Sequence, residues 1–213
     1  MRIVKLSELN QAIVIKNAVK IIADGGIVIG PTDTVYGIFC DARNADAIKK
    51  IFAMKGRPRV KAFSVFVRDI AMARYYAYIS DAKAKFLEKI WPGQVTAVFR
   101  HKEKLPKILT GKKDAIGMRI PGHNFLRGLM AYLDFPLAQT SANISGKPPA
   151  KDIIELKGYF SKSKIKPDLM IDGGEITGQP SVVIDCIGAK PIILRTGIIS
   201  VATLNKFWES LGH

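Results

Sequence analysis

The sequence predicts a single α/β domain over residues 1–213, a mixed sheet with helices packed on it. Three observations carry that expectation. Segments with the apolar period of a helix interleave with short apolar runs of strand length, without a strict βαβ rhythm. The 213 residues, 48% hydrophobic and 24% charged, suffice for one substantial core. No internal repeat or low-complexity linker divides them, and the polar stretch SKSKIKPD at 161–168 reads as a loop.

Each element follows from local chemistry. Leu9–Ile22 puts Leu9, Ala12, Ile13, Ala18, Val19 and Ile22 at helical spacing, with Ser7 as the expected N-cap and Asp24-Gly25-Gly26 as the stop. Ile27–Ile29 is a strand closed by Gly30-Pro31, and another follows around Val35–Cys40. Asn44–Met54 is an amphipathic helix capped by Asn44, with Ala47, Ile48, Ile51 and Phe52 inward, and Gly56 and Pro58 end it. Ala62–Val67 is a strand; Asp69–Tyr78 and Asp81–Ile90 are helices, the second stopped by Trp91-Pro92-Gly93. Val95–Phe99 and Ala115–Ile120 are strands, Asn124–Leu133 a helix, Leu137–Gln139 a strand and Ile153–Phe160 a helix. Short strands at Leu169–Ile171, Ser181–Asp185 and Pro191–Leu194 precede a last helix over Val201–Leu211.

Charge narrows the class of partner. Thirty-three Lys and Arg against eighteen Asp and Glu give a formal charge of +15, a field that gathers polyanions such as nucleotides and nucleic acid. A basic solvated surface explains the same surplus, because the lysines are spread along the whole chain. Cys40 and Cys186 lack metal-ligand spacing and read as reduced, small apolar residues of a cytosolic protein. With no signal-like opening and no apolar run near the roughly 18 residues of a membrane span, the expected location is cytoplasmic, without a membrane partner.

Four polar clusters stand at element ends. PTDTVYG (31–37) follows the first apolar strand and is ordinary turn chemistry, or a set of hydroxyls held at a strand end. Lys55-Gly56-Arg57, with Arg59 and Lys61 behind it, ends a helix; a point charge and a planar fork two residues apart suit a phosphate, and equally complement a helix C-terminus. Thr140–Lys147 (TSANISGK) offers hydroxyls and a carboxamide after a strand, as a cap or turn also does. Ser181 opens a strand and Arg195-Thr196-Gly197 closes one. Neither Gly-x4-Gly-Lys-Ser/Thr nor GxGxxG is present, and no Ser-His-Asp or Cys-His pairing is suggested.

Taken in order, these clusters resemble the YrdC/TsaC family, the threonylcarbamoyl-AMP synthases. The matching segments are GGIVIGPTDTVYG (25–37), KGRPRVK (55–61), Trp91–Gly93 with Thr96, IGMRIPGH (116–123), TSANISGKP (140–148), PSVVID (180–185) and LRTG (194–197). They run from the first helix to Arg195, and their specificity lies in order and spacing. The resemblance implies a twisted sheet with a large, positively charged concave face. It implies an enzyme, a nucleotidyltransferase: L-threonine and bicarbonate form a carbamate whose oxygen attacks the α-phosphate of ATP, releasing pyrophosphate and leaving threonylcarbamoyl-AMP. A separate threonylcarbamoyl transferase then acts as downstream partner, completing N6-threonylcarbamoyladenosine beside the tRNA anticodon. RNA, as tRNA or double-stranded RNA, is a further candidate partner.

Such chemistry is mostly positioning and cationic stabilisation. Lys55 and Arg57 are the expected phosphate residues, with Ser141 and Asn143 completing the catalytic set; Lys61 and Arg195 are further candidates at the nucleotide end. By the resemblance Thr32, Arg119 and Ser181 take the threonine, Arg119 forking onto its carboxylate, and Tyr36 walls the pocket or is simply a core tyrosine. Mg2+ enters with ATP, held by substrate oxygens, so no protein metal site is expected. The chain departs from the family pattern at Phe66, where some relatives carry His, and at Gln94, where proline is common. Two other classes compete: an RNA-binding or ribosome-associated module without catalysis, and a carbamoyl-adenylate-forming maturation factor.

Overall fold

The computed structural model describes residues 1–58, 62–111, 113–197 and 199–210. In chain order the elements are β1 (Arg2–Lys5), α1 (Gln11–Ala23), β2 (Val28–Gly30), β3 (Gly37–Asp41), α2 (Ala45–Lys55) and β4 (Ser64–Phe66). Then come α3 (Ile70–Tyr76), α4 (Asp81–Ile90), β5 (Val95–Arg100), α5 (Lys107–Thr110), β6 (Ala115–Arg119) and α6 (Asn124–Ala131). The last are β7 (Leu137–Ser141), α7 (Ile153–Phe160), β8 (Leu169–Asp172), β9 (Val182–Asp185), β10 (Ile192–Arg195) and α8 (Val201–Glu209).

Among the described residues the strands form one sheet, in the order β1-β8-β2-β3-β7-β4-β6-β5-β9-β10. The pairs β1–β8, β2–β8, β4–β6 and β5–β9 are parallel and the others antiparallel, so the expected mixed sheet is present. Strands β2 and β3 are buried on both faces, which is why they read as unbroken apolar runs rather than alternating ones. Helix α1 packs on β2 and β3 and against α6; α2 packs on β3 and against α5; α4 meets α8. Cys40 and Cys186 are free thiols in this core, and burial pushes the Cys186 thiol up to about 12.

Local signals account for most of the helix ends. The Asn44 side chain accepts from the amides of Asp46 and Ala47, each at 3.0 Å, and Asp69, Ser80, Asp152 and Ser200 cap α3, α4, α7 and α8 in the same way. Ser7 does not cap α1. Asn10 precedes the helix instead, and its side chain serves the preceding turn, accepting from Ser7 N at 2.9 Å and donating to Lys5 O at 2.8 Å. The inward face of α1 is Val14, Ile15, Ala18 and Ile22, whereas Leu9 is 98% exposed. Strand β1 and the short helix α5 are additions to the sequence expectation. Leu211 lies outside the described residues.

The end of α2 places two candidate site residues. Gly56 takes the left-handed conformation, φ 60°, and the amide of Arg57 turns back onto Phe52 O at 3.0 Å. Lys55 thus stays on the helix while Arg57 leaves it. A Cβ on Gly56 meets nothing within 4 Å. Gly56→Ala is therefore expected to cost only the backbone term, about 1 kcal/mol; a thermal melt showing no loss would contradict the strained turn.

Candidate functional site

A cavity of about 340 Å3 lies over five adjacent strands, β7-β4-β6-β5-β9. Its floor is one sheet face, since Thr96 and Val98, Gly117 and Arg119, and Gln139 and Ser141 line it in pairs two residues apart. The floor is kept low by small side chains. A Cβ on Gly117 would stand 3.1 Å from Thr96 Cγ2 and 3.3 Å from Ser64 Cβ. Arg57, Arg119 and Arg195 also line the cavity, and no carboxylate does so among the described residues. Burial lowers the pKa of all three guanidiniums, each of which still remains far above neutrality as guanidinium chemistry dictates.

The PTDTVYG turn divides its labour. Thr32 Oγ1 accepts from the amides of Thr34 and Val35, at 3.0 and 3.2 Å, and donates to Val35 O at 2.7 Å. That hydroxyl builds the turn; Thr34, 3.0 Å from it, is the threonine that lines the cavity. Tyr36 is fully buried. Its hydroxyl donates to Gly174 O at 2.7 Å and accepts from Gly173 N at 2.9 Å, tying the turn to the segment after β8. Burial, with smaller effects from neighbouring groups, pushes this phenol up to about 12, so it stays protonated and lies among the packing, not in the lining.

Arg119, at the end of β6, is 2% exposed. Its Nε donates to Gly93 O at 2.7 Å, Nη1 to Thr34 Oγ1 at 3.2 Å, and Nη2 to Asp33 Oδ1, and its guanidinium carbon sits 5.6 Å from the Phe66 ring centroid. Phe66 thus supports the cation where the sequence departs from the family pattern. Ser181 shares a 2.9 Å hydrogen bond with Thr96, and Arg195 donates from Nε and Nη2 to Ser181 O at 3.1 and 2.8 Å.

Lys55 is 1% exposed and points at the loop after β7. Its ammonium donates to Ser141 O, to Asn143 O at 2.9 Å and to Asn143 Oδ1 at 2.8 Å. All three N–H groups are engaged there, and Lys55 is not part of the cavity lining. Burial, reinforced by the Arg57 charge, pulls its pKa down to about 7, while three facing oxygens favour the proton. Ser141 donates to Asn143 Oδ1 at 2.7 Å, so Lys55, Ser141 and Asn143 form one network. Arg57 donates to Ala62 O at 2.9 Å and to Thr140 Oγ1 at 3.4 Å, and lies over Phe63. Lys61, like Arg59, lies outside the described residues.

Arg57, Arg119, Ser141, Ser181 and Arg195 therefore converge on one cavity, although their positions span most of the sequence. A model of the Sua5/YciO/YrdC family, described as telomere recombination, matches residues 20–197, which hold all five. The chain belongs to that family. A Sua5/YciO/YrdC relative from Methanocaldococcus jannaschii, provisionally named a threonylcarbamoyl-AMP synthase, is 37% identical over 209 residues, covering 96% of this chain and 97% of the relative. The threonylcarbamoyl-AMP synthase of Pyrococcus abyssi is 33% identical over 195 residues, 90% of this chain. A crystal structure of P. abyssi Sua5 complexed with L-threonine superposes with a TM-score of 0.89 at 31% identity over 97% of this chain. This chain spans 56% of the P. abyssi relative's length and 61% of the chain in that structure.

Thr34, Ser64, Thr96 and Gln139 were not among the expected site residues. Their signal is weak because a polar side chain in a short strand, as at Ser64, Thr96 and Gln139, looks the same whichever face it takes, and Thr34 stands among other turn residues. Gly117, inside the AIGMR strand, is the exception: a glycine there marks a close approach. Among the described residues no group of three or more His, Cys, Asp or Glu is placed to hold a metal ion, and no helix is long and apolar enough to cross a membrane.

Proposed function

We propose that this protein is a threonylcarbamoyl-AMP synthase, a nucleotidyltransferase that makes threonylcarbamoyl-AMP and pyrophosphate from ATP, L-threonine and bicarbonate. The observation that carries this reading is three arginines lining one cavity whose described lining holds no carboxylate. A site of that kind suits a substrate set with a triphosphate and an amino-acid carboxylate. The names of the relatives and the threonine bound to P. abyssi Sua5 support it.

In the reaction the carbamate oxygen bonds to the α-phosphorus as the α–β bridging bond breaks, and pyrophosphate leaves with the electron pair. Charge grows on the phosphoryl and leaving oxygens, where fixed cations count most. Arg57 and Arg195 serve the nucleotide and Arg119, with Thr34 and Ser181, the threonine. Lys55 acts through the Ser141–Asn143 strand end. Thr32 and Tyr36 hold the turn that presents Thr34. Magnesium bound with ATP would neutralise the triphosphate. Because no carboxylate lines the cavity among the described residues, such an ion would be held by phosphate oxygens and water. The action is cytoplasmic, and the product goes to a threonylcarbamoyl transferase for tRNA modification.

Purified protein with ATP, magnesium and bicarbonate is expected to release pyrophosphate only when L-threonine is added. Threonine-independent release would overturn the assignment. Absence of turnover, together with RNA affinity that falls steeply with salt, would place the protein as an RNA-binding module instead.

A further inference from the structure

The β2–β3 turn holds a carboxylate with no role in the reading above. Asp33 sits beside the cavity, outside its lining, with both oxygens engaged: Oδ1 takes Arg119 Nη2, and Oδ2 accepts from Gly122 N at 3.0 Å. Its main-chain oxygen accepts from the Gln94 side-chain amide. The residue is thus tied to the loop after α4 and to the lead into α6. Both carboxylate oxygens face donors, which leaves Asp33 neither a base nor a metal ligand in this arrangement.

We propose that Asp33 is a positioning residue for the amino-acid substrate, fixing the plane of the Arg119 guanidinium so that its remaining N–H groups take the threonine carboxylate. This rests on the proposed function. A guanidinium has five N–H donors, and Gly93 O, Thr34 Oγ1 and Asp33 Oδ1 engage three of those of Arg119. Two remain for a substrate. The three partners come from two separate segments, the β2–β3 turn and the loop before β5, so rotation about the last side-chain bonds would break several contacts together. Burial opposes the guanidinium charge, and the adjacent Asp33 charge is what offsets it. An acceptor of another kind would not substitute. An amide at position 33 would set its NH2 against a donor whichever way it turned, either Arg119 or Gly122 N.

Asp33→Asn changes charge and donor pattern at constant volume, which makes it the test. Pyrophosphate release is measured for the parent, Asp33→Asn, Arg119→Lys and the double variant, varying threonine at saturating ATP and then the reverse. Asp33→Asn is expected to raise the KM for threonine about tenfold or more, with the KM for ATP within about twofold of the parent. Arg119→Lys already loses the fork, so adding Asp33→Asn to it is expected to cost no more than about threefold further. A purely structural role would instead lower kcat through the active fraction and leave both KM values alone. Independent, multiplying losses, or equal movement of the two KM values, would overturn the proposal. Should circular dichroism show Asp33→Asn unfolded, Gln94→Ala, which releases only the Asp33 main-chain oxygen, is expected to raise the threonine KM about threefold. An unchanged value there also overturns it. A parent without threonine dependence removes this inference and the proposed function together; a threonine-dependent parent with an unchanged Asp33→Asn removes this inference alone.

Discussion

Arg57→Ala is expected to lower threonine-dependent pyrophosphate release by about 10²- to 10³-fold, the usual cost of removing one fixed donor from developing charge. Three facts single out this arginine. It lines the cavity, it leaves α2 at a left-handed glycine, and its position is held by Ala62 O at 2.9 Å and by the face of Phe63. A side chain placed so firmly brings its charge to the phosphates without reorganising, which is the property transition-state stabilisation needs. Arg57→Lys is expected to recover little, since an ammonium supplies the charge without the planar fork. The readout is kcat at saturating substrates, with a melting curve to show that the variants are folded. A folded Arg57→Ala enzyme turning over within about threefold of the parent would remove Arg57 from the reaction.

The second large effect is on stability. Lys55→Met keeps the length and apolar stem of the side chain and removes an ammonium that serves three oxygens on the strand end at Ser141 and Asn143. Buried acceptors left without a donor cost about 1–3 kcal/mol each, offset in part because no charge need then be buried; about 3 kcal/mol is the expected net loss. For a chain of this size that lowers the melting temperature by about 6–12 °C. Turnover is expected to fall as well, through displacement of Ser141 and Asn143. A lysine that only touched phosphate would give the opposite pattern, an inactive variant melting with the parent, and differential scanning calorimetry separates the two.

Elements whose causes are local were legible in the sequence. Asn44 with its two amides, Asp81–Ile90 between Ser80 and Trp91, and Ile153–Phe160 all stand where the residues predict them. What escaped depended on distant partners. RIVK becomes β1 because Arg2 lies opposite Leu169 in a parallel pair, and nothing within a few residues of it announces that. Leu9 and Ile13 fit the helical period but lie where the core does not reach. The same limit applied to the site. The order of motifs brought Arg57, Arg119, Ser141, Ser181 and Arg195 to one cavity, yet it could not say that the Thr32 hydroxyl closes a turn while that of Thr34, two residues on, lines the cavity. Nor could it say that Lys55 faces protein oxygens, because a lysine beside a phosphate motif and a lysine clamping a loop have the same neighbours in sequence.

The strand order beneath the cavity has a consequence in time. Of the four neighbouring pairs in the floor, β7-β4, β4-β6, β6-β5 and β5-β9, only β6-β5 joins strands that are consecutive along the chain. Ser64 waits for Gln139, and Val95 for Val182, before either has its neighbour. Closing such distant pairs is the slow part of building a sheet. During synthesis Thr34 and Arg57 leave the ribosome long before Val183 and Arg195, and a nascent chain carrying the first two motifs has no hollow to put them in. The cavity therefore cannot be complete before β9 docks on β5.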